Sequence, residues 1–100
     1  MLFFVKVRVE PKEMSQDELW ALWEKEADAA LAAKAAGKVV AIYKVSGQRR
    51  VLGIVDVDSH DEIDRILMAG LPMAHYLEIE EILPLRAYEA FADDLKRRWK

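Results

Sequence analysis

The sequence predicts an α+β fold in which one antiparallel sheet carries two helices on a single face. Three observations lead there. Strand-like and helix-like hydrophobic periodicities follow one another along the 100 residues. Two helix starts share a Ser-x-x-Glu signature, at Ser15 to Glu18 and Ser59 to Glu62. Two central β-branched runs are separated only by a short, glycine-containing connection. The length suits one domain, since domains run from roughly 50 to 250 residues. Residues 1–100 therefore read as a single domain, with 85–100 as a helical extension.

Leu2 to Val9 alternates, placing Phe3, Val5, Val7 and Val9 on one side and Leu2, Phe4, Lys6 and Arg8 on the other, as the two-residue repeat of a strand requires. In Met14-Ser15-Gln16-Asp17-Glu18-Leu19, Ser15 is placed to cap a helix, Glu18 to close the capping box and Met14 to pack on Leu19 as a hydrophobic staple. The helix starts at Ser15 and runs through the alanine-rich stretch from Ala27 to Ala36. It stops at Gly37, a residue that tolerates the left-handed conformation common past helix ends. Val39 to Val45 and Val51 to Val57 flank Ser46-Gly47-Gln48-Arg49-Arg50 and should pair antiparallel. Ser59-His60-Asp61-Glu62 opens a second helix, with Ile63, Ile66, Leu67 and Gly70 at helical spacing and Gly70-Leu71-Pro72 at its end. The last strand covers Tyr76 to Leu83. Beyond Pro84, Tyr88, Phe91, Ala92, Leu95 and Trp99 recur at steps of three and four, the pattern of an amphipathic terminal helix.

This order, β-α-β-β-α-β plus a carboxyl-terminal helix, is that of the split βαβ, ferredoxin-like arrangement. Its two helices cover one sheet face and leave Leu2, Phe4, Val40 and Ile42 on the other. An exposed apolar face of this kind marks an interface, and a second copy of the same sheet is the simplest cover. A homodimer or higher oligomer of the dimeric α+β barrel type is expected, with the terminal helix available to a neighbouring subunit.

Composition narrows the function classes. The chain is 53% apolar and 33% charged, and no stretch approaches the ~18–20 consecutive apolar residues of a membrane span, so no membrane partner is expected. Met1 to Lys6 reads as a strand rather than a signal peptide. The absence of cysteine removes disulfides, thiol nucleophiles and cysteine-held metals, and suits a cytoplasmic location. A net charge of −3 provides no footprint for nucleic acid. The cluster Lys96-Arg97-Arg98 with Lys100 closes the terminal helix, where the backbone dipole favours cations. Trp20, Trp23 and Trp99 read as core or interface aromatics. His60 reads as a surface residue of the second helix. His75, just before the last strand, either enters a pocket or is a satisfied structural histidine. Two isolated histidines make no zinc site, so no metal and no cofactor is expected.

One residue does not suit its surroundings. At ~100° per residue, Leu19, Leu22, Trp23, Ala27, Ala30 and Ala33 form one stripe of the first helix, and Glu26 falls inside it. Burial there disfavours the charged carboxylate and raises its pKa, which is how proteins prepare such a group to transfer protons near neutrality. The surrounding alanines leave space for a small molecule. The alternative is a structural glutamate paired with Lys6 or Lys44, or hydrogen-bonded to backbone.

The start Met1-Leu2-Phe3-Phe4-Val5-Lys6, the Gly37 to Gly47 spacing, the segment Val55-Asp56-Val57-Asp58-Ser59 to Asp61-Glu62, and Leu71-Pro72 followed by Tyr76-Leu77-Glu78-Ile79 resemble the muconolactone Δ-isomerase family. The resemblance implies a ferredoxin-like fold, assembly through dimers, and cofactor-independent movement of a proton within a small unsaturated lactone in aromatic catabolism. It also places the family's helix-one glutamate on Glu26, the residue selected by the wheel. The sequence departs from the family where polar strand-two positions become Val39, Val40, Ala41 and Tyr43, where Phe4 replaces a histidine, and in its hydrophobic tail from Leu85 to Trp99. A proton shift needs a base, which Glu26 supplies, and donors to the dienolate, for which Tyr43, Lys44 and His75 are the candidates. The expected function is that of an isomerase. The alternative is a non-catalytic small-ligand-binding or oligomeric scaffold domain of the same fold.

Overall fold

A computed structural model describes residues 1–98. Strand β1 (Leu2–Val9) is followed by helix α1 (Gln16–Ala35), strands β2 (Val39–Lys44) and β3 (Arg50–Asp56), helix α2 (His60–Arg65), strand β4 (Leu77–Leu85) and helix α3 (Tyr88–Arg97). The four strands form one sheet in the order β2-β3-β1-β4, with each neighbouring pair antiparallel. This is the expected ferredoxin-like topology with a terminal helix added. No helix among the described residues is long and apolar enough to cross a membrane.

Local chemistry sets the helix starts. Ser15 Oγ accepts from the Glu18 backbone N–H at 3.2 Å while the Glu18 carboxylate accepts from the Ser15 N–H at 3.1 Å, completing the expected box. Met14 packs against the buried cluster that contains Leu19. At the other end Gly37 takes φ +83°, the left-handed value its position after the helix requires. The second box forms by half. Ser59 Oγ accepts from the Glu62 N–H at 3.1 Å, but the Glu62 carboxylate accepts the Asp58 N–H at 3.3 Å and takes Lys38 Nζ at 2.9 Å. An ammonium ion thus redirects the side chain that was expected to return to Ser59. Replacing Ser15 or Ser59 with alanine should each cost ~0.5–2 kcal/mol, readable as a lower midpoint in chemical denaturation.

The expected long second helix is regular only to Arg65, and Ile66–Gly70 then widen into a π-type turn. A Cβ on Gly70 would lie 3.1 Å from the Arg65 carbonyl oxygen, so glycine is what allows the chain to close there. The last strand begins one residue later than expected, because Ala74–Tyr76 form a single 3₁₀ turn.

The core lies between the sheet and the helices. Phe3, Val5 and Val7 pack with Val57, Ile63 and Leu67, while Val9 joins Leu19 and Met73. Strand two departs from simple alternation. Its register on β3 shifts between Val39 and Ala41, and Ile42 then pairs with Gly53, itself opposite Val5. Ile42 therefore faces the helices and not the outer surface, as alternation had implied; a bulge of one residue reverses every side chain beyond it. The outer face keeps Leu2 and Phe4, aligned with Leu85 and Leu83 of β4, and gains Ile54 opposite Phe4. At its other end Arg50 grips Glu80 through two bonds of 2.8 and 3.0 Å, and Arg8 pairs with Glu10 and Glu78.

Helix α3 stands away from this body, and with it the chain extends 56 Å along its longest axis against 25 and 21 Å across. Its apolar side chains Tyr88, Phe91 and Leu95 are exposed. Trp99, the last position of the expected stripe, lies outside the described residues.

Candidate active site

The sequence assembles a site on the inner sheet face. The inward side chains of β1 and β3 that line the site are valines, Val5, Val7, Val9, Val51 and Val55, placed there by strand alternation, and Gly53 removes bulk at the centre of β3. Helix α1 faces them with Ala27, Ala30 and Ala33, side chains too short to reach across. The result is a cavity of about 770 Å³ between α1 and the sheet, lined among others by Val5, Trp23, Ala30, Ile42, Gly53 and Met73. Trp20, Leu31 and Tyr43 lie at its border and are 65, 58 and 69% exposed, so the space opens to solvent through an apolar rim.

Glu26 projects into this cavity and is 9% exposed, the one buried charged side chain among the described residues. Its Oε2 has no hydrogen-bond partner among the described residues. Burial pushes its carboxyl above the ordinary range, and a hydrogen bond from the Met73 backbone opposes that shift without cancelling it. Neither lysine considered as a structural partner reaches it. Lys6 lies on the opposite sheet face, in register with Leu52 and Glu81, and Lys44 Nζ donates to the Val45 carbonyl at 2.7 Å. Of the structural roles open to this glutamate, the backbone hydrogen bond is the one formed. A buried oxygen left without a partner is costly to a fold.

The other anticipated residues divide. Lys44 borders the cavity, in register with Val51 and Val7 on the inner face, whereas Tyr43 meets only its margin: it pairs with Leu52 and so shares a register row with Lys6 on the outer face, which removes it as a donor inside the cavity. His75 does not line it: the residue is exposed, within the 3₁₀ turn, and its carbonyl accepts from Lys12 Nζ at 2.8 Å. His60 is exposed, its ring edge-on to Phe3. Two further residues belong to the site. Met73, fully buried, supplies the backbone contact to Glu26. Lys38 lines the cavity but is held by Glu62 at 2.9 Å and Asp58 at 3.5 Å. The Lys38 pairing had a visible signal in the Asp58-x-x-x-Glu62 spacing; the Met73 contact had none, because it depends on the path of the turn between α2 and β4. Trp23 is cavity wall as well as core, whereas Trp20 is an exposed residue at the cavity border and not part of the core. No group of three or more His, Asp or Glu side chains among the described residues is placed to hold a metal ion.

The model of the muconolactone delta-isomerase family matches residues 1–90. The chain belongs to the muconolactone delta-isomerase family. The crystal structure of muconolactone isomerase is similar to it, with a TM-score of 0.74 and 27% sequence identity over 87% of this chain and 90% of that one. No curated protein matches the sequence. The match to the muconolactone delta-isomerase family ends within α3, so most of the projecting helix lies beyond the family's shared region.

Proposed function

We propose that this family member is a cofactor-independent isomerase that moves a proton within a small unsaturated lactone or a related enolisable carbonyl compound. The observation that carries the reading is Glu26: a carboxyl group with a raised pKa and a free oxygen, aimed into an apolar cavity large enough for a ligand. Carboxylates in such settings serve as general bases near neutral pH. Glu26 takes a proton from the carbon beside the carbonyl. The electron pair of that C–H bond spreads over a dienolate, and the same carboxyl returns the proton at the far end of the conjugated system. Lys44 is the lining cation not engaged by a carboxylate among the described residues, and it is the proposed donor to the dienolate oxygen. Incubation of the purified protein with unsaturated lactones, followed by NMR, should show migration of the double bond; an unchanged panel contradicts the proposal.

A second reading, a non-catalytic small-ligand-binding domain, is favoured by the scarcity of polar side chains in the cavity. It predicts ligand binding without bond migration.

The assembly proposed with this activity is a homodimer or larger oligomer through the outer sheet face. Its support is the row Leu2, Phe4, Ile54, Leu83 and Leu85, of which Leu83 and Leu85 are 44 and 38% exposed. Sedimentation at micromolar concentration should give at least a dimer, whereas a stable monomer contradicts the model.

A further inference from the structure

The cavity has an unusual division of chemistry. Away from Glu26 its interior wall is hydrocarbon, as at Val5, Ile42, Val51, Val55 and Leu67, and among the described residues no serine, threonine, asparagine, glutamine, histidine or arginine lines it. Its charged side chains are Glu24, Glu26, Lys38 and Lys44. Lys38 is neutralised by Glu62 and Asp58, Lys44 stands at the exposed end of β2, and both remaining groups are acidic.

We infer that the ligand accepted at this site is a neutral, predominantly hydrocarbon carbonyl compound with no free carboxylate. The inference rests on the reading of Glu26 as the proton-transferring group and specifies the substrate class for it. Charge balance is the reason. With a neutral ligand, breaking the C–H bond places its electron pair in the dienolate while the proton forms an O–H bond on Glu26, so one negative charge moves and none is added. A ligand carboxylate would place a second anion in the same apolar space. Lys44, the one lining cation among the described residues not held by a carboxylate, already serves the dienolate oxygen, so that anion has no partner there. An unpaired charge in such surroundings is strongly disfavoured even after relaxation, and like charges within a few ångströms disfavour each other further. Size agrees with this class. At about 770 Å³ the cavity lies within the ~300–1,000 Å³ typical of sites that enclose drug-sized ligands, so fused-ring compounds fit.

Three probes test this on the full-length protein: muconolactone, which carries a free carboxylate; its neutral methyl ester; and an uncharged bicyclic β,γ-unsaturated ketone. Binding is read by tryptophan fluorescence, since Trp20 and Trp23 line the cavity, and turnover by NMR. The ester should bind at least ~100-fold more tightly than the acid, as expected when an unpaired buried charge is removed, and the ketone should bind at least as tightly as the ester. Equal or tighter binding of the acid overturns the inference, as does failure of both neutral probes to bind at millimolar concentration. The two readings fail separately. Tight binding of the neutral probes without turnover keeps the ligand class and refutes the isomerase, whereas efficient turnover of the acid alone keeps the isomerase and refutes the ligand class.

Discussion

Glu26→Gln should abolish isomerisation and leave the protein as stable as before, or more so, near neutral pH. Glutamine keeps the size and hydrogen bonding of the side chain but cannot exchange a proton. The loss should reach at least the ~10²–10⁴-fold that a positioned acid–base group contributes. The stability change follows from the direction of the pKa shift. The Glu26 carboxyl is raised above its ordinary value of 4.5 in the folded protein, so the folded state holds the proton more firmly than the unfolded chain. Below the unfolded pKa the group is neutral in both states and costs nothing. As the pH rises through the folded pKa, stability is lost, and above it the full penalty persists. The difference in stability between wild type and Glu26→Gln should therefore be small in acid and should grow in favour of the variant across that window. Thermal unfolding against pH reads it. A structural ion pair would give the opposite sign, because removing the carboxylate would strand a buried cation.

Ala30→Phe is expected to close the site while sparing the fold. Ala30 lies one turn after Glu26 and lines the cavity, so a benzyl group there projects into unfilled space beside the carboxylate. Burying an aromatic side chain contributes up to ~1.5–3 kcal/mol, and the melting temperature should stay level or rise. Affinity for a neutral enone should fall at least ~10-fold, because ligand and ring would compete for one volume and overpacking costs ~1–3 kcal/mol. If the space were instead tightly filled, that same cost would appear as lost stability.

Local signals carried most of the fold. Alternation placed β1 at its observed bounds, and the Ser15 box with Gly37 bracketed α1 to within a residue, because caps and periodicity are properties of adjacent residues. Glu26 was legible for a related reason: a helix wheel identifies an acid within an apolar stripe before any partner is known. What escaped the sequence depends on neighbours distant along the chain. The bulge that turns Ile42 inward arises from the pairing of β2 on β3. The diversion of Glu62 from Ser59 needs Lys38 across the fold. His75 was separated from the cavity by the 3₁₀ turn, and Met73 was brought to Glu26 by that same connection. The projection of α3 was equally hidden, since an apolar stripe shows that a helix seeks a surface and not which surface.

In the proposed reaction Glu26 exchanges a proton with a carbon acid bound in the cavity. The most direct test is hydrogen exchange into a neutral unsaturated lactone in D₂O, followed site by site by NMR. Wild-type protein should introduce deuterium at the carbon beside the carbonyl and at the far end of the conjugated system, and Glu26→Gln should introduce none above the uncatalysed rate. Equal incorporation by the two proteins, or none by the wild type with the lactone demonstrably bound, would contradict the account.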